Sequence, residues 1–109
     1  MDEALTIFSD FPDTGRYEYR ECLALTLAIR AEFLEKVGFN MTALKSVKMA
    51  IEWQGPLFLS NPKRYEQITE PMIKMYRRLC ETRGRRPDAQ LLDPIERELA
   101  RIKSHRASL

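Results

Sequence analysis

Histidine is almost missing from this chain. The one present, His105, stands four residues from the last residue, where little would hold it among partners. Imidazole acid–base catalysis and histidine metal ligation are therefore not expected. Cysteine is nearly as scarce. Cys22 and Cys80 are too few and too far apart for a disulfide framework or a metal site. Both fall within helical patterns and read as reduced thiols packed like small hydrophobes, which points to the cytoplasm. Only 4 Gly and 6 Pro occur, at punctuation points, which disfavours a strand-and-turn fold. No apolar run approaches the ~20 residues of a membrane span, and the stretch Met1-Asp2-Glu3 is acidic where a secretory leader would be basic. A glycine-rich phosphate loop, a nucleophile elbow and an aspartate-rich calcium loop are all lacking. Carboxylates abound, but residues such as Glu32 and Glu35, beside Lys36, read as a solvated helix face. The expectation is a non-enzymatic protein with no cofactor, no metal and no membrane partner.

The 109 residues are 44% hydrophobic and 31% charged, which suits one globular domain. Residues 1–13 read as an N-terminal arm carrying Leu5, Ile7, Phe8 and Phe11, ended by Pro12 and Asp13. Residues 14–109 read as a single helical domain. Its first helix starts near Asp13 or Thr14 and stops at Gly38, a residue suited to the left-handed backbone past a helix end. A second helix is predicted over 42–53, capped by Asn40 or Thr42 and stopped at Gly55 and Pro56, with Leu57, Phe58 and Leu59 as a connector packed onto the core. Ser60, Asn61 and Pro62 signal a restart. Pro71 then predicts two helices, 62–68 and 70–83, with one kinked helix as the alternative. After a basic linker over 84–90, Asp93, Pro94 and Glu96 read as a capping box for a last helix over 94–105. Its apolar stripe is narrow: Ile95, Leu99 and Ile102. The fold class is all-α, a small bundle of four to five helices built on one long N-terminal helix.

That first helix is the most informative segment. Tyr19, Cys22, Leu23, Leu25, Thr26, Leu27, Ile29, Phe33, Leu34 and Val37 share an arc of about 200°, against ~100° for an ordinary surface helix. Such an arc has two surfaces to cover, one facing its own domain and one available to a second chain. Leu23, Leu27, Phe33 and Leu34 are the expected interface anchors. Arg30 joins them as a polar hot spot, or else snorkels to water. A two-fold homodimer through this helix is expected. Trp53 and Tyr76, each a lone aromatic at helical spacing, read as core.

Charge is unevenly spread. Residues 1–37 hold 4 basic and 8 acidic side chains; residues 38–109 hold 14 and 8. The densest basic run is Lys74, Arg77, Arg78, Arg83, Arg85 and Arg86, with only Glu81 to offset it. It could neutralise phosphates, decorate a helix C-terminus or pair with the acidic first helix. A helix-turn-helix over 30–49 is a further reading, with Gly38 in the turn and Lys45, Ser46 and Lys48 facing a major groove. Against it, bulky Leu34 stands where the first helix normally has a small residue.

Three roles follow from these readings. The first is a regulator that binds a protein partner through apolar helical surface, such as an inhibitor or anti-activator of a transcription factor. The second is a nucleic-acid-binding regulator using the basic run or the 30–49 motif. The third is a structural small subunit of a larger assembly.

Overall fold

The computed structural model describes residues 16–108, with side chains from 19 to 107. The arm over 1–13 and the expected start of the first helix lie outside the described residues. Four helices follow in order: α1 (Arg16–Lys36), α2 (Asn40–Ser60), α3 (Pro62–Thr82) and α4 (Ala89–Ser108). The fold is all-α. The described part of α1 spans 21 residues, as α2 and α3 do, so it does not stand out by length.

α2 is the hub, packing against each of the other three helices, whereas the main packing of α1 is on α2 alone. Burial explains this placement. Ala43, Val47, Ala50, Gln54 and Leu57 repeat at spacings of three and four, and Leu44, Ile51, Gly55 and Phe58 follow at seven, four and three. Together they bury about half of the helix circumference. α1 meets this hub with small residues: Ala24 and Ala31 are fully buried, and Ala28 nearly so. Two buried hydrogen bonds pin the hub to its neighbours. Ser46 Oγ donates to the Leu27 carbonyl at 2.8 Å, and Gln54 Nε2 donates to Thr69 Oγ1 at 3.2 Å. No buried side-chain nitrogen or oxygen among the described residues lacks a partner.

Two glycines end helices as their conformational freedom requires. Gly38 has φ +91° and Gly84 φ +64°. Past each, the next amide reaches back five residues, Phe39 N to the Leu34 carbonyl and Arg85 N to the Cys80 carbonyl, both at 2.8 Å. These are Schellman closures, and they satisfy carbonyls the helix leaves open.

Gly55 and Pro56 do not stop α2, contrary to the sequence expectation; the helix continues to Ser60. The reason is what lies beyond. Leu57 and Phe58 are 1% and 0% exposed, and burying each is worth roughly 1.5–3 kcal/mol. That offsets the ~3 kcal/mol cost of an internal proline. Pro56 also sits on the exposed strip shared by Lys45, Met49 and Glu52, so water can serve the carbonyl it frees at Glu52. Pro71 repeats the logic in α3, exposed beside exposed Gln67, and 62–82 is one continuous helix rather than two.

The last helix is also longer than expected. It starts at Ala89, and Asp88, not Asp93, caps it: Oδ1 accepts from Leu91 N at 3.3 Å. The earlier start brings Leu92, 1% exposed, into line with Ile95 and Leu99.

Gly55 has a packing role instead. A Cβ there would stand 3.1 Å from Ile95 Cδ1, so the missing side chain is what lets α4 approach α2. Gly55→Ala gains helix propensity while crowding Ile95, and the two effects should nearly cancel. Gly55→Leu should lower stability by about 1–3 kcal/mol through overpacking. Urea unfolding of both variants checks this; equal stability of Gly55→Leu and the parent would refute the close-contact role.

Candidate functional site

The apolar arc of α1 divides into two faces. Leu23 and Leu27 are 2% and 1% exposed and belong to the core with the alanines. They are therefore not surface anchors, as the sequence reading had them. Leu34 and Tyr19 are half-buried against that core. The other side of the arc is open: Leu25 is 47% exposed, Ile29 57%, Phe33 63% and Val37 49%. These four recur every four residues and form a row about 18 Å long, roughly opposite the buried alanines. Cys22 is exposed on the same side, so of the two thiols only Cys80 packs as a small hydrophobe. Phe39, 61% exposed, continues the apolar surface past the Gly38 cap.

Of the five expected interface residues, the structure thus leaves Phe33 fully available. Arg30 is half-buried at the border between the two faces and forms no ion pair among the described residues. Leu25, Ile29 and Val37 belong to the exposed row though they were not singled out as anchors. One signal could have found them. Ala24, Ala28 and Ala31, spaced four and three apart, match Ala43, Val47 and Ala50 on the next helix. Small residues at that spacing allow close helix approach and mark the inward face.

The basic run is split by its partners. Arg77 makes a bidentate pair with Glu96, both bonds at 2.7 Å, tying α3 to α4. Arg78 does the same with Glu35 at 2.9 and 2.7 Å, tying α3 to acidic α1. Lys74 lies 3.4 Å from Glu70, which also meets Lys103 at 2.9 Å. Arg83, Arg85 and Arg86 are exposed and have no ion pair among the described residues. The run therefore supplies both internal pairing and unneutralised charge.

The 30–49 motif does not present its expected groove-facing set. Ser46 is 4% exposed and bonded to α1, so it cannot reach a base edge. Lys45 is exposed, and Lys48 is half-buried 3.6 Å from Asp88. Trp53 is half-buried, with its ring edge-on to Tyr19 at 6.0 Å, and Tyr76 is core. His105 is exposed near the end of α4. Among the described residues no group of three or more His, Cys, Asp and Glu could hold a metal, and no helix is long and apolar enough to cross a membrane. Comparison with protein families, with curated proteins and with solved structures finds no match to this chain.

The Glu35–Arg78 pair has a testable pH signature. The Arg78 hydrogen bond holds the Glu35 carboxyl below its ordinary value, against the opposing effect of partial burial. A carboxyl lowered in the folded state stabilises the fold above its unfolded pKa. That contribution is lost as pH falls through the lowered value. Arg78→Ala should cost under ~1 kcal/mol at neutral pH, as befits a largely exposed pair, and the difference from the parent should vanish in acid. Urea melts over a pH series check this; a difference that persists below the carboxylate range would assign the effect to packing instead.

Proposed function

We propose that this protein is a non-enzymatic regulator that binds another protein through the outer face of α1. The observation that carries the reading is the row Leu25, Ile29, Phe33 and Val37, four large apolar side chains about half exposed or more, aligned on one helix face away from the core. A contiguous apolar surface of this kind marks a docking site. Covering it would contribute ~1 kcal/mol per side chain, since each is already partly buried. An apolar groove or an amphipathic helix on the partner suits the i, i+4 spacing. Phe33 is the central anchor, and Arg30 at the border is placed for a polar contact on the rim.

In the absence of a partner, the same row pairs with its copy in a two-fold homodimer, the commonest closed assembly. Occupying a target's surface is how an inhibitor or anti-activator of a transcription factor works in the cytoplasm. That target class is assigned by analogy of size and architecture.

The test is a double substitution, Ile29→Glu with Phe33→Glu. Both side chains are more than half exposed, so helix content and melting temperature should stay close to the parent. Light scattering should report a dimer for the parent and a monomer for the variant. A parent that remains monomeric at high concentration would remove the homodimer. A variant that self-associates as the parent does would remove the row as the interface. Leu27→Glu is the contrasting control: it places a charge in the core and should unfold the chain.

A further inference from the structure

We propose that the hollow between α2 and the α3–α4 connection binds a phosphate-bearing anion. This goes beyond the protein-docking role of α1 and rests on a separate surface. The fold brings together cations from two distant segments there: Lys45 and Lys48 from α2, and Arg85 and Arg86 from the connection. They line a hollow of about 390 Å³ whose other walls include Met41 and Leu44.

The convergence is built into the backbone. Gly84 turns the chain at φ +64°, and Arg85 N is held by the Cys80 carbonyl at 2.8 Å. This closure keeps the two arginines beside α2 instead of letting them trail from the end of α3. One carboxylate lines the hollow, Asp88, and the cation it meets there is Lys48. Asp88 Oδ1 caps α4 through Leu91 N, its backbone N–H donates to the Tyr76 hydroxyl at 3.0 Å, and it reaches only Lys48, at 3.6 Å. Lys45, Arg85 and Arg86 are left without a counter-charge among the described residues, whereas Lys74, Arg77 and Arg78 farther back on α3 are each committed to a glutamate.

Excess positive charge around a concave site attracts anions and concentrates them. Two guanidinium forks favour phosphate, whose oxygens accept paired hydrogen bonds. The phosphate can come from a free nucleotide or from a nucleic-acid backbone; the chemistry recognised is the same.

The experiment measures binding of ATP and of a short single-stranded DNA oligonucleotide to the full chain at low salt, by calorimetry or fluorescence anisotropy. The test variant is Lys45→Ala with Arg85→Ala and Arg86→Ala, all exposed positions. The control is Lys63→Ala with Arg97→Ala and Arg101→Ala, which removes the same charge from other exposed sites. The parent should bind at least one ligand, and the test variant should lose tenfold or more while the control loses little. If the oligonucleotide is the ligand, the slope of log affinity against log salt should fall by about two to three in the test variant. Binding of ATP as well as DNA would identify a small-phosphate site; binding of DNA alone would identify a backbone contact. No binding of either ligand, or equal losses in test and control variants, would overturn the proposal.

Discussion

The close seating of α1 on α2 is the contact on which the rest of the molecule depends. Ala24, Ala28 and Ala31 have almost no side-chain bulk, and they face a helix whose own contact positions are Ala43, Val47 and Ala50, all fully buried. The bond from Ser46 to the Leu27 carbonyl fixes the same approach. Small side chains bring the backbones together, and close packing then excludes water along the seam. Because α1 rests chiefly on α2, the far side of α1 has no cover within the described chain. The exposed row of Leu25, Ile29, Phe33 and Val37 follows from that geometry. A bulkier inward face would have held α1 farther off, and a third neighbour would have hidden the row.

The central position of α2 also accounts for the behaviour of the helix breakers. A proline is costly when its freed carbonyl is buried and tolerable when water reaches it. Pro56 and Pro71 both lie on exposed strips, while the residues around them, Leu57 and Phe58 in one case and Met72 and Ile73 in the other, are buried. The gain from continuing each helix onto the core exceeds the loss of one solvent-side hydrogen bond. Glycine divides along similar lines. Gly38 and Gly84 serve backbone conformation, whereas Gly55 serves interhelical distance.

Charge plays a secondary role in stability and a larger one in arranging surfaces. The acidic first third and basic remainder meet at Glu35–Arg78 and Glu21–Arg64, while Glu66–Arg106 and Glu96–Arg77 join α3 to α4. Exposed pairs of this kind add little individually. Their effect is to consume the cations on the middle of α3 and leave those at the α3–α4 connection, next to Lys45, without partners. The apolar row on α1 and the basic hollow are thus separate surfaces, each produced by what the packing leaves unmatched.

Much of this architecture was legible in the residues themselves. Helical periodicity, the scarcity of glycine and proline, and the left-handed cap at Gly38 are local properties, set by side-chain spacing and backbone sterics, and they require no partner to be read. The 200° arc on α1 was legible for the same reason, and so was the surplus of apolar surface. Which half of that arc faces inward was written only faintly: Leu23 and Leu25 are chemically identical, and the spacing of Ala24, Ala28 and Ala31 is the one local hint of direction. Tertiary packing decided it, placing Leu23 and Leu27 on α2 and leaving Ile29 and Phe33 outside. The same holds for the continuity of α2 and α3 through their prolines, the start of α4 at Ala89, and the meeting of Lys45 with Arg85. Each depends on energies or distances between segments far apart in the chain, and those exist only once the helices have packed.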